Sequence, residues 1–216
     1  MIKHLARLRL LTLLGGLLLA SACVAAPDAP ASFTEGDQYV SLPAPAQRLS
    51  PEGKVEVVEV FSYGCIHCAH FAPMAEQLRK SLPKGVVFKL LPAAFSEQWV
   101  PFARAFYAAR QLGVVDRTHL ELFQAKFAQH YPIATLDELA DFYAAHGVDR
   151  AKFLRIANSD AVTAQMRKDY ALVQQWQVDG TPTIVVDGKY RSNQVKSFDQ
   201  LVALTQWLVK RELAGE

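Results

Sequence analysis

The sequence predicts an α/β fold, and three observations carry that prediction. A strand, a helix and a second strand follow one another between Val55 and Leu91. A stretch of roughly 80 residues with helical periodicity comes next. A tight hairpin and a capped helix close the chain after Val178.

The leader comes first. Lys3, Arg7 and Arg9 precede an apolar stretch from Leu10 to Ala20, and small residues run from Ala20 through Ser21, Ala22, Cys23, Val24 and Ala25 to Ala26. Residues 1–26 therefore read as a secretory signal peptide. Its apolar run falls short of the roughly 20 residues a membrane-crossing helix needs. The mature chain is expected to be soluble outside the cytoplasm. Two fates are open to Cys23. Cleavage before Pro27 or a nearby residue removes it. Alternatively, Leu19-Ala20-Ser21-Ala22-Cys23 resembles a bacterial lipoprotein signal, which would anchor the protein through an acylated Cys23, although Ala20 stands where leucine is usual.

The leader holds three of the 23 Lys+Arg and none of the 21 Asp+Glu, so the remainder carries a net charge of −1. No basic field favours nucleic acid. With 51% hydrophobic residues, the mature chain can bury a core and is not expected to be disordered.

Residues 27–51 are rich in Ala, Pro and Ser and read as an extended segment, with Tyr39 to Leu42 its only strand-like part and order expected from Val55. Val55 to Phe61 is β-branched and apolar apart from Glu56 and Glu59, which suits a buried central strand. From Ile66 to Leu82 the apolar residues Phe71, Ala75, Leu78 and Leu82 keep helical spacing, and Pro83-Lys84-Gly85 ends the helix before the strand Val86 to Leu91. A βαβ unit implies parallel strands and a right-handed crossover.

In the helical stretch, Trp99, Phe102, Phe106 and Leu112 share one face, and Leu120, Phe123 and Phe127 another. Thr135 to Glu138 is a capping box for a helix ending at Gly147, and Asp149 and Asp160 are expected to cap two more. The strand Thr183 to Val186, the turn Asp187-Gly188 and the strand Lys189 to Arg191 form the hairpin. Ser197 to Gln200 caps the closing helix with Leu201, Leu204 and Leu208.

The chemistry sits where the first strand ends. Outside the leader the chain has two cysteines, Cys65 and Cys68, and a loop that short staples almost nothing. At a helix start, unpaired amides and the dipole favour a negative charge, so the Cys65 thiol ionises readily and attacks. Cys68, one turn on, can resolve the mixed disulfide that results. His67 between them is placed to stabilise the thiolate, which makes the disulfide a stronger oxidant. Tyr63 is expected as an exposed contact for substrate.

The run Phe61-Ser62-Tyr63-Gly64-Cys65-Ile66-His67-Cys68, with Pro73 and a distant Gly180-Thr181-Pro182-Thr183, resembles the bacterial DsbA family of periplasmic thiol:disulfide interchange proteins. The resemblance implies a thioredoxin fold with an inserted helical domain. On this chain that gives a discontinuous thioredoxin domain of residues 52–96 and 167–216 around an insert of residues 97–166. It also implies that Pro182 is a cis proline facing the cysteines and that the backbone of Thr181 pairs with the substrate chain. The implied activity is donation of a disulfide to reduced exported polypeptides, followed by reoxidation by a quinone-linked membrane partner of the DsbB type. No cofactor beyond the Cys65–Cys68 disulfide is implied. A monomer is expected, since no dimerisation segment precedes the redox domain. Ile66 stands where proline is frequent and Thr181 where valine is frequent. Threonine there also occurs in disulfide isomerases, so a reductase or isomerase on the same fold stays open.

Glu59 shares a strand face with Val55, Val57 and Phe61, and Lys89 one with Val87 and Leu91. On neighbouring strands two buried charges need each other. The pair is either a proton relay to Cys68 or an ion pair without catalytic duty, unless it is exposed at the sheet end. A metal or chaperone module is the rival from another class, with His67 and His70 completing a zinc half-site, but a structural zinc site usually wants a second distant pair, so no metal is expected. His119, His130 and His146 carry no assigned role, and most insert aromatics are expected in the core.

Overall fold

The computed structural model describes residues 32–44, 47–49 and 53–215. The leader and Cys23 lie outside the described residues. The strands are β1 (Tyr39–Ser41), β2 (Val55–Phe61), β3 (Val86–Pro92), β4 (Thr183–Val186) and β5 (Tyr190–Ser192), and they form one sheet in the order β1-β5-β4-β2-β3. β2 pairs parallel with β3 and antiparallel with β4. As its composition predicts, β2 is buried on both faces, and even Glu56 and Glu59 are enclosed.

The pleat sends Val57 and Phe61 to one side and Val58 and Val60 to the other. The first side packs on α1 (Ile66–Ser81) and α7 (Phe198–Ala214) through Phe71, Ala75, Leu204 and Leu208. The second packs on Leu172, Val173 and Trp176, at the end of α6 (Asp160–Gln175).

Between β3 and β4 the chain is helical. A 3-10 turn (Glu97–Trp99) leads into α2 (Val100–Gln111), followed by α3 (Val115–Phe123), a π-helical turn (Gln124–Ala128), α4 (Leu136–Ala145), α5 (Arg150–Ala157) and α6. The Thr135 capping box forms, with Thr135 N–H donating to Glu138 Oε2 at 2.8 Å. Asp149 caps α5 by accepting from Lys152 N–H at 2.6 Å. Ser159, not Asp160, caps α6: its extended backbone lets its hydroxyl accept from Val162 N–H, and Asp160 is already helical. Leu120 does not share the buried face expected of it. It is exposed, while Leu122 and Phe123 are buried, and the π-helical turn then shifts the register before Phe127.

Order begins well before Val55. β1 pairs with β5, and the rings of Phe33 and Tyr39 lie 5.6 and 5.5 Å from that of Trp207 on α7. Without β1, β5 would be a bare sheet edge. A three-residue strand whose signal is one buried tyrosine is too short for periodicity to announce. At the hairpin, Asp187 and Gly188 both take positive φ, 55° and 66°, the backbone that a two-residue turn between twisted strands requires.

Candidate active site

β2 delivers the chain to the site and Ser62 turns it. The Ser62 carbonyl accepts from Cys65 N–H at 3.0 Å, and its hydroxyl accepts from Gly64 N–H at 3.1 Å. Gly64 is required by space. A Cβ there would lie 2.8 Å from the Trp99 ring and 3.3 Å from Phe102.

Cys65 is the N-cap of α1, with extended backbone and its sulfur accepting from Cys68 N–H at 3.4 Å. No acidic residue sits in the first turn of α1 to oppose a thiolate. From the other half of the sheet comes Thr181, whose peptide bond to Pro182 is cis and whose carbonyl accepts from the Cys65 thiol at 3.4 Å. The buried Thr181 hydroxyl has no partner of its own. Both cysteines are thiols; Cys65 is nearly buried and Cys68 completely so.

These contacts divide the two sulfurs. The Cys68 thiol, donating to Cys65, lowers the Cys65 pKa to about 5, helped by Thr181 and the backbone amides of Cys68 and His67 and opposed by burial. Cys68 is pushed far above the ordinary thiol range, first by its own burial and then by Cys65. Glu59, 1% exposed, is raised to about 8 by burial and then by the Cys65 charge, and its Oε2 has no hydrogen-bond partner.

Two expectations need correction. Lys89 does not meet Glu59. β2 and β3 are in a register that sets Val58 opposite Lys89 and Leu90 opposite Glu59. Lys89 therefore points to the other face of the sheet, where its Nζ lies 3.9 Å from Glu56 Oε2. Tyr63 is not an exposed contact. It is 1% exposed, with its ring among Phe61, Phe106 and Phe123 and its hydroxyl 3.0 Å from His119 Nδ1. His119 thus has a partner after all; burial lowers its pKa to about 4, which keeps the imidazole neutral. The sequence signal for it is the spacing Val115, His119, Phe123 along one side of α3. His67 stands exposed at the rim, as does His70. Among the described residues no group of three His, Cys, Asp or Glu is placed to hold a metal ion.

A thiolate formed at neutral pH beside a thiol that keeps its proton is suited to opening and closing disulfides by exchange. Fold and site together define a thioredoxin-like dithiol–disulfide oxidoreductase. The family model of the DSBA-like thioredoxin domain matches residues 81–206. The thiol:disulfide interchange protein DsbA of Pseudomonas aeruginosa is 39% identical over 185 residues, 85% of this chain and 87% of that one. The Burkholderia cepacia DsbA is 38% identical over 81% of each. The crystal structure of oxidoreductase DsbA from Xylella fastidiosa superposes with a TM-score of 0.79 at 38% identity, covering 84% of this chain and 98% of that one. The chain belongs to the DsbA family and is a thiol-disulfide oxidoreductase.

Proposed function

We propose that the protein introduces disulfides into reduced, exported polypeptides by giving up the bond between Cys65 and Cys68. The observation that carries this reading is the opposed pair of sulfurs, Cys65 lowered to about 5 and Cys68 raised. A client thiolate attacks Cys65, the S–S bond breaks, and Cys68 leaves and takes up a proton. The second client thiol then attacks the mixed disulfide and expels Cys65 as a thiolate. Two electrons pass from the client to the enzyme, and the client keeps the disulfide. A low-pKa leaving thiol favours this direction because it stabilises the reduced form, a behaviour for which DsbA enzymes are the standard case.

Glu59 is the group that supplies the Cys68 proton and takes it back on reoxidation. Its burial keeps it protonated at neutral pH, and no lysine is paired with it. Thr181 offers its backbone to the client chain, a recognition mode that tolerates many sequences. Pro182 holds that loop against the sulfur, and His67 adds to the stabilisation of the thiolate. The protein works as a monomer in the periplasm after loss of its signal peptide, and a quinone-linked membrane protein of the DsbB type reoxidises it. Among the described residues no helix is long and apolar enough to cross a membrane.

A second reading, as an isomerase or reductase, rests on Thr181 standing before the cis Pro182, where the resemblance makes valine frequent and where disulfide isomerases also carry threonine. Equilibration of the mature protein with glutathione separates the two. Reduction of the Cys65–Cys68 bond in mildly reducing buffer, with loss of disulfide transfer in Cys65→Ser, supports the oxidase. A bond that persists in strongly reducing buffer refutes it in favour of the second reading.

A further inference from the structure

A cavity of about 840 Å³, lined by Glu59 but by neither cysteine, Thr181 nor Pro182, opens between α1, β3, α3 and α6. That is within the range of sites that enclose small molecules. Its apolar lining includes Phe88 and Leu90, which share one face of β3, and Phe106 of α2. The lining also includes Arg110 and Lys168. Among the described residues neither is matched to a carboxylate, and Arg110 lies instead over the rings of Phe106 and Tyr107.

The carboxylates nearby are mostly committed. Glu76 is held by Arg79 at 2.7 Å and Lys80 at 3.1 Å. Asp169 accepts from Tyr107 Oη at 2.7 Å and from Gln165 at 2.8 Å. Asp116 is the remaining acid of the lining besides Glu59. The enclosed Glu59 carboxyl has an oxygen with no partner. Burial keeps that group uncharged at neutral pH, so it does not repel an anion.

We propose that this cavity is a binding site for an amphipathic organic anion, with an apolar body against Phe88, Leu90 and Phe106 and a carboxylate or sulfonate head drawn by Arg110 and Lys168. A buried polar oxygen beside apolar walls, with cations that have no anion of their own, describes both ends of such a molecule. The inference rests on the cavity and not on the direction of disulfide exchange.

The test is a titration of the isotope-labelled, oxidised mature protein with 4-phenylbutyrate, and with 4-phenyl-1-butanol as the same body without the charge, followed by backbone amide NMR shifts. The acid should move the amides of Phe88 to Leu90, Arg110 and Lys168, and bind at least about tenfold more tightly than the alcohol, the effect of roughly one good ionic contact. The double variant Arg110→Glu and Lys168→Glu should lose that preference and still bind the alcohol. Arg110→Gln with Lys168→Gln keeps the test available should the charge reversal disturb folding. Equal affinity for acid and alcohol would overturn the anion site. So would shifts centred on Cys65 and Thr181, or none at millimolar ligand.

Discussion

At neutral pH the reduced protein holds Cys65 as a thiolate and Glu59 as a neutral acid, and the two make opposite contributions to stability. The Cys65 pKa falls from 9.0 to about 5. Its contribution to the reduced fold is therefore complete above the ordinary thiol range and is lost as pH falls through about 5. The melting temperature of the reduced protein should exceed that of the oxidised protein at pH 7, and the gap should close below pH 5. A thiolate absorbance titration should show a midpoint near 5. Glu59 moves the other way, from 4.5 to about 8. Its native environment favours the neutral form, so it costs stability increasingly as pH rises from 4.5 to 8. Glu59→Gln should therefore stabilise the protein at pH 8 by on the order of 3 kcal/mol and hardly at all at pH 4. The same substitution should slow disulfide transfer at least about tenfold if Glu59 handles the Cys68 proton. Denaturation at the two pH values and stopped-flow peptide oxidation measure these effects. The sulfurs and Glu59 were legible in the sequence because helix-start chemistry and a charge in an apolar strand are local facts. The mate of Lys89 was not, because it depends on an offset of 31 between β2 and β3, which sets residue 58 opposite 89. An odd offset puts Lys89 on the face of Glu56.

Among the elements, those with chemical punctuation were the readable ones. Thr135 and Asp149 cap as expected, since each supplies the oxygen that an orphan amide needs. α3 was misread at Leu120 because helical spacing names a face without saying how much of it is covered, and Leu120 is left exposed beside the buried Leu122 and Phe123. Tyr63 was misread for a related reason. Adjacency to a cysteine in sequence says nothing about which way a turn residue points, and this one turns inward to α3. The junction of β2 and α1 is tighter than any pattern reveals. Gly64→Ala should push the Trp99 ring aside, cost about 1–3 kcal/mol by overpacking, and alter tryptophan fluorescence along with the reactivity of Cys65. Denaturant titration and iodoacetamide kinetics would register both changes.

On the scale of the whole molecule, the sheet is completed from the far ends of the described chain. The segment expected to be a loose tether contributes β1, and Tyr39 is 5% exposed beside Tyr190 and Trp207. Tyr39→Ala should destabilise the protein by about 3 kcal/mol, as for a buried aromatic elsewhere, and chemical denaturation measures it. The periodicities of 2 and 3.6 sufficed for β2, β3, α1 and α7, but the seat of β1 depends on an edge that only the assembled sheet creates. The redox centre has a similar origin. Cys65 and the Thr181 carbonyl that meets its sulfur are 116 residues apart in the chain. A ribosome finishes the cysteine helix long before it reaches Thr181. A nascent chain therefore carries its two thiols for more than a hundred residues without the loop that faces them, and the enzyme comes into being only when its last third is made.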